Sequence, residues 1–172
     1  MVPDPAMVPG TALRLIQSFA STRGAAPDAD LLRTREDATS WLRAMALLPG
    51  EAALTNSEHA ALVRLRTSIG DILAAHADDR QDADAAARLT RALADGRLVL
   101  TVEDDSTVRL ASAARASYSH VVAANAVAIA GCAAAGQWRR LKACVTAGCG
   151  QVFYDNSPSA GVRCCPAHAG AG

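Results

Sequence analysis

Apolar positions along the chain recur at two spacings, and each spacing predicts a type of element. Residues 11–23, TALRLIQSFASTR, open with an apolar bias at helical spacing. Gly24 and Pro27 then mark a loop to Asp30. Thr34-Arg-Glu-Asp37 has the make-up of a helix start, with an acid at the third helical position. Ala38, Trp41, Leu42 and Met45 follow at helical spacing, and Pro49-Gly50 stops them. Thr55-Asn-Ser-Glu58 is a second capping box. Behind it Leu62, Leu65, Ile69, Ile72 and Leu73 form one stripe, which predicts an amphipathic helix to about Ala77. A polar run from Asp78 leads into a helix from about Asp82 to Ala94, ended by Gly96.

The period then changes. Leu98, Leu100 and Val102, followed by Val108 and Leu110, alternate around Asp104-Asp105-Ser106, which predicts a β-hairpin with a polar turn. No calcium-loop glycine or closing glutamate follows those acids. Residues 112–135 return to helix, closed by Gly136. The expected fold class is α+β and mainly α-helical.

Composition changes this picture only near the end. The chain has 172 residues, 51% of them apolar and 3% aromatic, with 17 basic and 17 acidic groups. That excludes a disordered chain, which is apolar-poor and highly charged. It also excludes an evenly basic nucleic-acid binder. The charges are uneven, however. From Gln137 onward four basic groups face only Asp155, a balance of +3, which leaves −3 for the rest. Four of the five cysteines lie in the same segment. A boundary is therefore expected near Gly136, giving a helical domain over 1–136 and a small second domain over 137–172. Residues 1–10, with Pro3, Asp4, Pro5 and Pro9, lack the basic and apolar regions of a signal peptide. The apolar run over 120–135 contains Asn125 and is too short for a bilayer. A cytoplasmic protein with no membrane contact is expected, in which clustered cysteines suggest metal before disulfides.

Cys144 and Cys149 form a C-x4-C pair, with Gly148 and Gly150 flanking the second sulfur. Cys164 and His168 form a C-x3-H pair, and Cys165 with His168 forms an equally acceptable C-x2-H knuckle. Two close pairs joined by a short hairpin predict a closed, structural Zn2+ site. Metal supplies on the order of 10 kcal/mol of folding energy to a segment too small to fold alone. Spacing does not choose between Cys164 and Cys165. Cys132 reads as a small core residue, and His59 and His76 as solvent-facing ends of one helix. No motif positions a nucleophile beside a base, so the sequence gives an enzyme no catalytic residues.

The stretch Cys144…Cys149-Gly150-x-x-Phe153-Tyr154-Asp155-x-Ser157, followed by Cys-x-Pro-Ala-ligand, resembles the CGNR zinc finger. In bacterial proteins described as stress-induced transcription regulators, that finger follows an ABATE domain. Ser18-Phe19-Ala20-Ser21-Thr22-Arg23 resembles the family's Asp-Phe-x-Asn-Thr-Arg motif, and Leu31-Leu32 with Trp41-Leu42 its leucine and Trp-Leu pattern. The resemblance overlays Cys165 on a serine and implies Cys144, Cys149, Cys164 and His168 as ligands. It also implies that the helical domain senses a small-molecule effector or holds a homodimer, and that the finger contacts DNA or a partner. Arg139, Arg140, Lys142 and Arg163 are the residues that would meet phosphates. The family's basic tail has no counterpart in Ala169-Gly-Ala-Gly172. With so few cations, the alternative is a protein-interaction or small-molecule-binding module whose zinc is purely structural.

Overall fold

A computed structural model describes residues 9–24, 29–114 and 117–169. Met1 to Val8, most of the loop marked by Pro27, and residues 170–172 lie outside the described residues. Five α-helices and two antiparallel hairpins follow in the order α1 (Pro9–Ala20), α2 (Arg35–Ala44), α3 (Asn56–Ala77), α4 (Ala83–Leu93), β1 (Leu98–Val102), β2 (Val108–Ser112), α5 (Tyr118–Ala134), β3 (Leu141–Ala143) and β4 (Val152–Tyr154). The α+β, mainly helical class read from the sequence is the observed one.

Helix starts are where the capping residues put them. The Thr34 hydroxyl accepts the Asp37 N–H at 3.1 Å, and the Asp37 carboxylate accepts the Thr34 N–H at 3.3 Å. Thr55 and Glu58 close the same box on α3. On α4 the Asp82 carboxylate accepts the Ala85 N–H at 2.8 Å. Each such cap contributes about 1 kcal/mol by satisfying donors that the helix cannot. The predicted stripe of α3 is the centre of the core: Leu62, Leu65, Ile69 and Leu73 are fully buried. Ile16 and Phe19 of α1, Leu42 of α2, and Val121 and Val122 of α5 complete it.

Several bounds shift for physical reasons. The first helix ends at Ala20, and Ser21–Arg23 tighten into a 3-10 turn that stops at Gly24, whose φ is +66°. The last helix begins at Tyr118, not at 112, because Ser112 pairs with Leu98 in the hairpin. His59 and His76 are not solvent-facing: His59 Nε2 lies 2.8 Å from the Leu32 carbonyl, and His76 Nδ1 lies 2.9 Å from the Leu141 carbonyl. His76 also meets Trp138 edge to face at 5.2 Å. Burial and the neighbouring Arg139 and Lys142 hold the His76 pKa below its ordinary value, against the opposing pull of the Leu141 carbonyl. Cys132 is buried in the core, as expected of a small apolar residue.

The second hairpin packs on the helices. Leu141 and Val152 belong to the same apolar cluster as α1, α3 and α5. A part-buried ion pair ties the segment before α2 to α3. Arg66 of α3 reaches both carboxylate oxygens of Asp30, the second at 2.9 Å. Burial opposes ionisation of Asp30, but the Arg66 guanidinium and the Leu32 N–H outweigh it and lower its pKa.

Candidate metal centre

The C-x4-C segment folds as a tight knuckle because its glycines permit it. Gly148 and Gly150 have φ of +75° and +66°, in the left-handed region. The Cys149 N–H donates to the Thr146 carbonyl at 3.0 Å, and the Cys144 N–H to the Gln151 carbonyl at 2.9 Å. The far side is a single turn in which the His168 N–H donates to the Cys165 carbonyl at 2.8 Å. A fourth bond, from the Val145 N–H to the Arg163 carbonyl at 3.1 Å, seats the two sides together.

These bonds bring Cys144, Cys149, Cys165 and His168 into one group, with all four ligand atoms within 4.8 Å of one another. Cys149 Sγ lies 3.7 Å from Cys165 Sγ. His168 Nδ1 lies 3.6 Å from Cys144 Sγ and 3.3 Å from Cys165 Sγ. Phe153 closes one side as the apolar neighbour of Cys149 and Cys165. The group could hold a metal ion. The choice of Cys164 implied by the resemblance is corrected here. Cys164 is half-buried and turned to the Thr146 hydroxyl, which donates to its sulfur at 4.0 Å. The one-turn closure from Cys165 to His168 is what puts the second cysteine, not the first, at the site.

The thiols of the group do not ionise alike. Burial pushes the Cys144 thiol up, but the Thr146 hydroxyl and the Cys165 and Thr146 N–H groups outweigh it and bring it down to about 5. Cys149 is pushed up to about 11, first by burial and then by the Cys144 and Cys165 sulfurs beside it, against one N–H from Gln151. Protein groups alone therefore favour one thiolate and disfavour the next. A cation held among them would let neighbouring thiols ionise together.

Four sets of contacts hold this segment, two within it and two that tie it to the helical body, and the sequence reading had singled out none of them. Lys142 and Asp155 form an ion pair of 2.8 Å with 3% and 0% of their side chains exposed. The Asp155 carboxylate also accepts the Ser157 hydroxyl and N–H, at 2.6 and 2.9 Å, and the Val162 N–H at 2.9 Å. Asp155-x-Ser157 is a recognisable turn signal in sequence. The Ser21 hydroxyl accepts the Val152 N–H at 3.1 Å. Gly150 lies so close to Gly24 that a Cβ would sit 2.5 Å from the Gly24 carbonyl oxygen. Gly150→Ala therefore meets both a clash and a strained φ, whereas Gly148→Ala meets open space and only the strain. The left-handed strain alone costs about 1–2 kcal/mol. Thermal melts should show Gly150→Ala several degrees below Gly148→Ala; equal midpoints would mean that the Gly24 contact is not tight.

The family whose sequence profile matches residues 11–136 is ABATE, with the description "Putative stress-induced transcription regulator". The match spans well over half of the chain. The chain belongs to the ABATE family. No curated protein matches the sequence. The Ser18–Arg23 stretch, likened above to an ABATE motif, is the last residues of α1 and the 3-10 turn after it, which receives β4 through Ser21. The Cys/His group beyond the ABATE match is consistent with a CGNR-type finger tail. Among the described residues, no helix is long and apolar enough to cross a membrane.

The four basic residues near the ABATE boundary are placed differently from one another. Lys142 is buried and donates to Asp155 and to the Ala160 and Val162 carbonyls, so it is not available to a phosphate. Its place in a phosphate-binding patch is corrected on that ground. Arg140 donates to the Asp155 and Ser157 carbonyls at 2.9 and 2.8 Å. Arg139 pairs with Asp79 at 3.0 Å, and Arg163 pairs with Asp78. Both acids stand just beyond the C-terminus of α3. The four residues do share one hollow with His76, but they enter it already partnered.

Proposed function

We propose that this ABATE-family chain is a zinc-stapled interaction module, in which the metal is structural and the finger does not grip DNA. The donor set supports zinc. Three thiol sulfurs and one imidazole nitrogen are a closed structural combination, with no position kept for water. Metal–sulfur bonds of about 2.3 Å and metal–nitrogen bonds of about 2.0 Å give tetrahedral edges of about 3.8 Å between sulfurs and about 3.5 Å between sulfur and nitrogen. The separations of 3.7, 3.6 and 3.3 Å lie close to those edges before any ion draws the ligands in. Zinc there would tie the Cys144–Cys149 knuckle to the Cys165–His168 turn, and so the connection between β3 and β4 to the segment after β4.

One observation carries the rest of the reading: every basic side chain on the approach to the finger has an internal partner. DNA-binding proteins draw most of their affinity from Lys and Arg that neutralise phosphates. Here Arg139 and Arg163 pair with acids just past α3, while Arg140 and Lys142 are taken up within the finger. The test is a titration of labelled duplex DNA at low salt with zinc-loaded protein. The expected result is no saturable binding. Saturable binding with a log–log salt slope of about −2, lost in an Arg139→Ala/Arg163→Ala variant that keeps its metal, would overturn the reading.

A second reading, in which the finger contacts DNA, has one observation in its favour. Arg139 and Arg163 remain 62% and 59% exposed despite their ion pairs. Exposed pairs are worth at most about 1 kcal/mol, so phosphates can compete with Asp78 and Asp79. The same titration decides between the two readings.

A further inference from the structure

Cross-strand partners in an antiparallel hairpin share a face. The register pairs Leu98 with Ser112, Leu100 with Leu110, and Val102 with Val108. One face of the β1–β2 hairpin therefore carries Leu98, Leu100, Val102, Val108 and Leu110 with no charge among them. These five side chains are 39%, 63%, 65%, 59% and 40% exposed. The alternate residues of β2, Arg109 and Ala111, are half-buried, and β2 packs on α5. The hairpin is thus supported from behind along β2, while Val99 of β1 stays 42% exposed on that side, and its front is bare. A contiguous apolar face of a few hundred Å2 is comparable to the largest patch on a typical soluble protein, and that patch is often functional.

We infer that this face is the contact between two copies of the chain, stacked face to face about a two-fold axis. The inference does not depend on the metal or on DNA. An uncharged, purely apolar face is self-complementary, as an isologous contact requires. Stable interfaces bury about 800 Å2 per partner, and these five side chains supply about half of that before the rim is counted. Charge chooses the arrangement. The turn end of the hairpin carries Glu103, Asp104 and Asp105, while the open end carries Arg97. Two two-fold arrangements stack the faces. One sets turn on turn and brings six carboxyl groups together. The other centres on the Leu100–Leu110 pairs and lays each acidic turn beside the partner's open end. The second is the one whose charges attract, and it aligns the two sheets as packed sheets normally are.

Sedimentation velocity and light scattering of the full chain, over a wide concentration range, test this. The expected result is a concentration-dependent dimer. Leu100→Asp should weaken it at least about 100-fold, the effect of burying an unpaired charge. Circular dichroism and metal content should be unchanged, because Leu100 is mostly exposed in the single chain. Arg97→Asp should also weaken the dimer, and adding Asp104→Arg should restore it. A chain that stays monomeric at every concentration would overturn the inference and assign the face to another protein. A dimer indifferent to Leu100→Asp would overturn it too, as would one indifferent to the charge reversal.

Discussion

Cys165→Ser should release the metal, and Cys164→Ser should leave it bound. The two residues are adjacent and chemically identical, so the pair of variants isolates geometry. Cys165 Sγ lies 3.7 Å from Cys149 Sγ and 3.3 Å from His168 Nδ1, whereas Cys164 faces the Thr146 hydroxyl across 4.0 Å. Hydrogen-bonding residues around a metal site typically account for 10- to 100-fold in affinity, and a direct ligand accounts for more. Structural zinc sites are worth about 10–16 kcal/mol, and in a short segment that energy is folding energy. Cys165→Ser should therefore lose zinc on dialysis and expose the remaining thiols to a thiol reagent, while the helical circular dichroism stays. Cys164→Ser should keep one zinc per chain by elemental analysis. The reverse pattern would show that the cysteines exchange places when the ion is bound. Wild-type protein purified without chelator and free of stoichiometric metal would remove the site altogether.

The family resemblance favoured Cys164, the spacing left both cysteines open, and the structure brings Cys165 into the group. Position-by-position likeness puts Cys164 on a ligand and Cys165 on a serine. Spacing allowed both, since C-x3-H and C-x2-H are each acceptable. What decides is a backbone bond, from the His168 N–H to the Cys165 carbonyl, that spacing does not display. Local signals elsewhere were fully legible. Both capping boxes, the Asp82 cap and the α3 stripe are where the residues place them, because each depends on neighbours within four positions. The alternation of Leu98 to Leu110 gave the hairpin, but not that its apolar face would lie open. Periodicity says which residues share a face and nothing of what covers it.

The charged residues were the least legible, and for a related reason. Arg139 and Arg163 find their acids 60 and 85 positions away, just past the end of α3. In sequence they form a basic cluster; in the fold each is matched. The histidines behave alike, since His76 meets a carbonyl 65 positions away. A cation followed only along the chain looks available when its partner belongs to another element.

Lys142→Met should destabilise the protein more than any other single change at a charged residue near the finger, by about 3–5 kcal/mol at neutral pH. Methionine fills a similar volume, so the cost is electrostatic. It leaves the Asp155 carboxylate in a site with none of its side chain exposed, held by Ser157 and Val162 alone. The pH dependence identifies the cause. Burial raises the Asp155 pKa, but Lys142 first, then the Ser157 hydroxyl and the two N–H groups, hold it well below the ordinary value of 3.8. A folded pKa below the unfolded one means that the unfolded chain binds more protons in acid. The stabilisation is then fully present above about pH 4 and fades as pH falls towards the folded value. Without Lys142, burial acts with less opposition, the carboxyl protonates more readily in the folded state, and acid relieves the variant. Both proteins also shed metal as acid protonates the ligands, so the difference between the two proteins is the quantity to follow. Urea midpoints measured from pH 7 down to pH 3 should show the gap between wild type and Lys142→Met narrowing below about pH 5. A gap that stays constant would mean that the variant fails through lost packing of the lysine stem, and that the buried pair is not what anchors the finger.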